Sequence, residues 1–235
     1  MKDVLILAGG FGTRLRSVIG ESQKALAEIN GIPMLYYQIH FWISNGATRL
    51  ILLLHYKAEL VIDYIENQKR VGAFGECEIE YCVENSPLGT GGAIVNAVGH
   101  FEVSQEFIVF NADTWLSGNL TDFIKKSGNV IGVTRCNDCS RYGTVEFNDT
   151  GQVLRFKEKT VDSLTGWINA GVYKFKKEVF SEMKIQNYSL EIDILPDLIA
   201  NMELLSVPIL GEFCDIGIPS DYAELQSRLL EKDKT

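Results

Sequence analysis

Residues 4–8, 48–55 and 106–113 read VLILA, TRLILLLH and EFIVFNAD, strand-length runs apolar at almost every position. A strand with one wet face alternates polar and apolar residues. One that is apolar throughout has both faces covered, which in practice means a parallel sheet between two helical layers. The intervening segments carry the helical period. GIPMLYYQIHFWISNG, residues 31–46, places Leu35, Ile39 and Trp42 or Ile43 on one face, with Pro33 suited to the first helical position and Gly46 to the stop. KAELVIDYIENQK, residues 57–69, groups Leu60, Val61, Tyr64 and Ile65. CEIEYCV, residues 77–83, alternates as a further strand, and GAIVNAVGHF, residues 92–101, reads as a short helix. The expected fold class is α/β: a three-layer α/β/α sandwich on a mixed, mostly parallel central sheet. Ligands of such sheets bind beyond the carboxyl ends of the strands, here the loops after residues 8, 55, 84 and 111.

The second half is less regular. NVIGVTR (129–135), GTVEFN (143–148), VLRFKEK (153–159) and WINAGVYKF (167–175) are strand-like and extend the sheet with antiparallel members. Short helices are expected over 176–183 and 190–201, then a late strand, ELLSVPIL, over 203–210. The closing helix, IPSDYAELQSRLLEK over 218–232, has Pro219 near its start and Tyr222, Leu225 and Leu229 on one face. With 235 residues, no repeats and no low-complexity linker, one domain over 1–235 is expected.

Several classes are disfavoured by composition. The formal net charge of −9 argues against a nucleic-acid or anionic-membrane binder, though a few cations at one site can still hold a small anion. No apolar run approaches the roughly 20 residues of a membrane helix, and the chain enters a strand pattern directly, so a cytoplasmic location is expected. Five cysteines at loose spacings suit reduced thiols. Cys136 and Cys139 form half of a zinc motif whose second half is missing.

Four features could carry chemistry. In AGGFGTRL, residues 8–15, glycines let backbone N–H groups approach an anion, and Arg14 can fork onto phosphate oxygens. Leu15 stands where a dinucleotide fingerprint needs its third glycine, which disfavours an NAD-type dehydrogenase, and no Walker loop is present. A second cluster, ENSPLGTGGAI at 84–94, also follows a strand and opens a helix, so two loops at one sheet edge could hold two parts of one ligand. Asp113 and Asp215 each follow a strand, and two such carboxylates suit Mg²⁺ shared with substrate phosphates. Finally, Glu158, Lys159 and the 169–171 Asn-Ala-Gly suit a phosphorylated polyol. The three histidines lie apart, and no G-x-S-x-G nucleophile motif exists.

Together these strings resemble the sugar-nucleotide pyrophosphorylases, the nucleoside-triphosphate:sugar-1-phosphate nucleotidyltransferases, over nearly the whole chain. LAGGFGTRL is similar to the family's G-G-x-G-T-R-L loop, Lys24 to its downstream basic position, SPLGTGGAI to its base-binding loop and NADTW to its metal-aspartate motif. EK, NAG and CDIGIPSDY follow in the family's order. LRSVI, HYKAE, RYGTV and FCDIGIPSDY are similar to the short bacterial heptose-1-phosphate guanylyltransferases within it. The resemblance implies the Rossmann-like nucleotide-diphospho-sugar transferase fold, with residues 1–115 mainly binding nucleotide and 116–235 mainly binding sugar phosphate.

It also implies roles. Arg14, Lys24 and Asp113 would be catalytic. Leu7, Ala8, Gly9, Gly10, Gly12, Thr13, Arg14, Lys24, Glu84, Pro87, Leu88, Gly89, Thr90, Gly92 and Asn111 would bind nucleotide. Tyr142, Gly143, Glu158, Lys159, Asn169, Ala170 and Gly171 would bind sugar phosphate, and Asp113 with Asp215 would hold Mg²⁺. The implied partners are an NTP, with GTP foremost, and a sugar 1-phosphate, with D-glycero-D-manno-heptose 1-phosphate foremost, for surface polysaccharide synthesis. A homodimer is compatible with the resemblance. Mannose 1-phosphate with GTP, a uridylyl transfer to another sugar, and a non-catalytic regulatory subunit are the alternatives. The chain departs from the family in having Gln23-Lys24-Ala25 for Pro-Lys-Pro, which removes the lysine's rigid flanks, and Ala112 for glycine.

Overall fold

The computed structural model describes residues 3–20, 22–157 and 165–232. In chain order, β1 (Asp3–Leu7) leads through a 3₁₀ turn to the one-turn helix α1 (Arg16–Ile19), and a 3₁₀ turn over Lys24–Leu26 precedes the small ribbon of β2 (Glu28–Ile29) and β3 (Ile32–Pro33). Then come α2 (Met34–Ser44), β4 (Arg49–Leu54), α3 (Ala58–Arg70), β5 (Glu78–Val83), α4 (Gly89–His100) and β6 (Glu106–Asn111). The second half contains β7 (Thr114–Leu116), α5 (Thr121–Lys125), β8 (Asn129–Cys136), β9 (Thr144–Phe147), β10 (Val153–Lys157), β11 (Gly166–Lys176) and α6 (Glu178–Ser181). A π turn over Leu190–Ile194 leads into α7 (Leu195–Ala200), followed by β12 (Leu204–Pro208), β13 (Phe213–Asp215) and α8 (Pro219–Lys232).

β6, β1, β4 and β5 run side by side and parallel, in register Val4 with Leu50 and Ile108. β11 pairs antiparallel with both β6 and β8, β12 joins β8 in parallel, and β9 with β10 fold against the start of β11. The sheet is therefore mixed, parallel over β6, β1, β4 and β5 and antiparallel around β11.

The apolar runs divide by the period of two. Val4 and Ile6, Leu50, Leu52 and Leu54, Ile108 and Phe110 point to one face, under α2, α3 and α5. Leu5, Ile51, Leu53, Phe107 and Val109 point to the other, under α4, α6 and α7. This is the physical content of a strand apolar at every position. Trp42 on α2 is fully buried with its ring edge-on to Phe110, and burying such a side chain contributes about 2–3 kcal/mol. A third apolar cluster, with Leu15, Ile29, Met34, Cys214, Ile216, Tyr222 and Leu225, seats α8 beside the glycine loop.

Three expectations are adjusted. Pro33 lies one residue outside α2, as its N-cap in β3. Leu60 is 39% exposed, because α3 turns Val61 and Ile65 to the sheet. Asp215 does not follow the late strand of the main sheet but ends β13, which pairs with β7 in a separate two-stranded ribbon.

Candidate active site

The carboxyl ends of the parallel strands open onto a cavity of about 250 Å³. It is lined by Arg14, Asn111, Asp113, Thr114, Arg141, Tyr142, Gly143, Phe156, Asn169, Gly171, Glu191, Phe213 and Asp215.

Asp113 sits in the turn between β6 and β7, and that turn is held from two sides. Gln38, buried on α2, donates its Nε2 hydrogens to Ala112 O at 2.8 Å and Thr114 O at 3.0 Å. The N–H of Ile216 donates to Asp113 O at 2.9 Å. Lys24 Nζ lies 2.6 Å from Asp113 Oδ2. The antiparallel ribbon pairs Asp215 with Thr114, which sets the second carboxylate beside the first. Among the described residues Asp215 Oδ1 is buried without a hydrogen-bond partner. Burial, and then the neighbouring Asp113 carboxylate, push the Asp215 carboxyl above its ordinary range, against the pull of Lys24, the Gly217 N–H and Arg14. A buried carboxylate oxygen left unsatisfied next to a second carboxylate is costly, and it is the hard oxygen donor set that a divalent cation takes. The residues present therefore fit such an ion.

The far wall is built by β11 and the loop before β9. Arg141 forms a two-pronged pair with Asp221 at the start of α8, with one bond at 3.0 Å. This orients the guanidinium at the cavity wall. Asn169 Oδ1 accepts the N–H of Gly171 at 3.0 Å, while its Nδ2 donates to Tyr173 OH at 2.5 Å. Glu191, in the π turn, accepts from Thr90 Oγ1 at 3.0 Å and Ser189 Oγ at 3.1 Å, which ties the second glycine loop to this wall. Gly171 has φ of +67°, and a Cβ there would lie 2.6 Å from Thr114 Oγ1. The bulged backbone of β11 thus comes within contact distance of the Asp113 turn.

A family model described as nucleotidyl transferase matches residues 3–232. The chain belongs to the nucleotidyl transferase family. It is 33% identical over 222 residues to D-glycero-alpha-D-manno-heptose 1-phosphate guanylyltransferase of Campylobacter jejuni, over 94% of this chain and 96% of that protein. Mannose-1-phosphate guanylyltransferase catalytic subunit beta of Drosophila melanogaster is 30% identical over 93% of the chain, which spans 60% of that longer protein. Among solved structures, HddC from Yersinia pseudotuberculosis complexed with GMP-PN aligns with a TM-score of 0.83 at 34% identity, over 97% of this chain and 100% of that one.

For this nucleotidyl transferase the cavity gathers, from the sequence expectations, Arg14, Asn111, Asp113, Tyr142, Gly143, Asn169, Gly171 and Asp215. Lys24 joins them through Asp113. Leu7 ends β1, where Ala8 N donates to Leu53 O, and Ala8, Gly9, Gly10 and Gly12 form the loop that leads to the 3₁₀ turn opened by Thr13. Glu84 is buried at the end of β5, where burial raises its carboxyl and the N–H of Leu88 donates to it at 2.9 Å. Pro87, Leu88 and Gly89 follow it. Glu158 and Lys159 lie outside the described residues.

Two of the expected residues are packed into the fold. The N–H of Gly92 donates to Tyr188 O at 3.2 Å, and a Cβ there would meet Gln186 O at 2.2 Å. Ala170 is fully buried in the α2-side core, because residues alternate along β11 and only its neighbours Asn169 and Gly171 reach the cavity. Sequence reasoning assigned no site role to Gln23, Gln38, Arg141 or Glu191. Nor did it single out Phe11, whose ring lies 5.7 Å from His55 and 5.2 Å from Tyr56 beside the glycine loop. Of these, Arg141 had a signal as the first residue of RYGTV, and Gln23 as the residue standing for proline beside Lys24.

Proposed function

We propose that this enzyme transfers GMP from GTP to a heptose 1-phosphate of the D-glycero-D-manno type, giving a GDP-sugar and pyrophosphate. The observation that carries the reading is the placing of Asp113, held by Lys24, beside Asp215, whose buried Oδ1 has no hydrogen-bond partner among the described residues, in the cavity where Arg14 and Arg141 also converge. The relatives of near-equal length support the heptose substrate. Mannose 1-phosphate is the second reading, supported by the guanylyltransferases that this chain matches over 93% of its length. A regulatory, non-catalytic role is disfavoured because both carboxylates, Arg14 and Lys24 are retained.

The chemistry asks little of acid–base groups. A sugar 1-phosphate has its second pKa near ~6, so at neutral pH it attacks the α-phosphorus as a dianion without a general base. The task left to the chain is positioning and charge stabilisation. Arg14 and Lys24 neutralise the triphosphate. Arg141 faces the sugar-phosphate side, where Asn169 and the backbone around Gly143 and Gly171 bind hydroxyls. Asp113 and Asp215 would hold Mg²⁺, which when bound would supply positive charge to the reacting phosphates.

A cytoplasmic site accords with the five cysteines, all of which are free thiols. Among the described residues no helix is long and apolar enough to cross a membrane. The product would serve surface polysaccharide assembly.

The test is pyrophosphate release from each of the four NTPs against a panel of sugar 1-phosphates, with and without Mg²⁺. GTP with the heptose phosphate should give the highest kcat/KM, and EDTA should abolish turnover. A preference for mannose 1-phosphate selects the second reading. No release with any pair removes the enzymatic one.

A further inference from the structure

We propose that Gln23 is a positioning residue that fixes Lys24 in the site, a task for which a rigid proline flank is lacking. The proposal rests on the reading of Lys24 as a triphosphate-binding residue. Gln23 is 1% exposed, so its amide must find partners inside the protein. It finds two, on different segments. Its Nε2 donates to Ala8 O, at the exit of β1 into the glycine loop. Its Oε1 accepts the N–H of Ala25 and so caps the 3₁₀ turn that carries Lys24.

The turn is closed further by Leu26 N to Gln23 O at 2.9 Å and Ala27 N to Lys24 O at 3.1 Å. From the other side the glycine loop rests on the lysine stem, since a Cβ on Gly12 would lie 3.0 Å from Lys24 Cβ. A lysine has much rotamer entropy to lose on a long stem, so its placement depends on the backbone that bears it. Here one buried side chain locks that backbone to the phosphate loop, and the ammonium arrives 2.6 Å from Asp113.

The backbone conformation supplies the decisive variant. Gln23 has φ of −77° and ψ of 138°, within the range of proline. Gln23→Pro would restrain the turn through the chain itself. Gln23→Glu keeps an acceptor for Ala25 N–H but sets a carboxylate oxygen against Ala8 O. Gln23→Ala removes both bonds.

Steady-state pyrophosphate release, with GTP varied, is measured for the four proteins after their folding is checked by circular dichroism. The expected result is about a tenfold loss of kcat/KM for GTP in Gln23→Ala, at least as large a loss in Gln23→Glu, and recovery to within about threefold in Gln23→Pro. Equal kinetics in Gln23→Ala and wild type overturn the proposal. So does Gln23→Pro no better than Gln23→Glu, a comparison that also serves if Gln23→Ala does not fold.

Hydrogen exchange of the Lys24–Leu26 amides reads the same lock without turnover. It should be about tenfold faster in Gln23→Ala and close to wild type in Gln23→Pro. A wild-type enzyme that releases no pyrophosphate would overturn the function while leaving this exchange comparison to decide the role of Gln23.

Discussion

Lys24 and Asp113 stand 89 residues apart in the chain, yet Lys24 Nζ lies 2.6 Å from Asp113 Oδ2. One comes from a 3₁₀ turn after the glycine loop, the other from the turn leaving β6. Their meeting joins the turn after the glycine loop to the acidic centre of the site. Asp113→Asn keeps the shape of the side chain and removes its charge. The fold should survive, because the turn is held through the backbone by Gln38 and Ile216. Pyrophosphate release should fall by about 10²–10³-fold, the scale on which a charge-stabilising group acts. Turnover near that of wild type would take Asp113 out of the reacting centre.

Gly92 tests whether the second glycine cluster serves a ligand or the fold. A methyl group there meets Gln186 O at 2.2 Å, a contact that backbone must move to relieve. Gly92→Ala should cost about 1–3 kcal/mol, as overpacking does, and lower Tm by roughly 5 °C. Titration calorimetry below the transition should show GTP affinity changed less than twofold. A large loss of GTP affinity at unchanged Tm would place Gly92 in the nucleotide site.

Glu106 gives the acid limb of stability. Burial alone would raise its carboxyl, but the Lys174 side chain, the Gly128 N–H and the Ser127 hydroxyl outweigh that and bring it down from 4.5 to about 2. A carboxyl lowered in the folded state stabilises above its unfolded pKa, and the contribution is lost as pH falls through the folded one. The window is therefore about pH 4.5 to 2. Glu106→Gln should be about 1–2 kcal/mol less stable than wild type at pH 7, allowing for solvent screening of a partly exposed group. The difference in urea midpoint should shrink between pH 4.5 and 3 and approach zero near pH 2. A gap independent of pH would mean that packing, not charge, is lost.

The parts of this enzyme that were legible in its sequence are those where a local pattern has one structural solution. Runs such as Val4–Ile6 and Leu50–Leu54, apolar throughout, fit a strand covered on both faces. Leu35, Ile39 and Trp42 announce the buried stripe of α2 by spacing alone. Asp113 was visible because an acidic residue at the end of an apolar strand has few other uses. Glycine is less informative: its freedom announces a close approach but not whether a ligand or another segment makes it. Gly12 and Gly92 look alike in sequence, yet the second accommodates the Gln186 carbonyl. Polar residues with remote partners are the least legible. Glu191 meets Thr90 at a separation of 101 residues, and Gln23 meets Ala8 through a loop whose path no periodicity encodes.

Arg141 belongs to that last group and carries the final prediction. Its two-pronged pair with Asp221 places a planar cation on the wall of the cavity that Arg14 also lines. A planar fork of this kind can engage Asp221 and still present remaining N–H groups to a phosphate, whereas an ammonium is a point charge without that geometry. Arg141→Lys should therefore raise KM for the sugar 1-phosphate by about tenfold while KM for GTP changes less than twofold. Asp221→Asn leaves the arginine in place but loosens its hold, and should produce a smaller rise in the same constant. If Arg141→Lys instead raised KM for GTP and spared the sugar phosphate, the two halves of the cavity would have to be assigned the other way round.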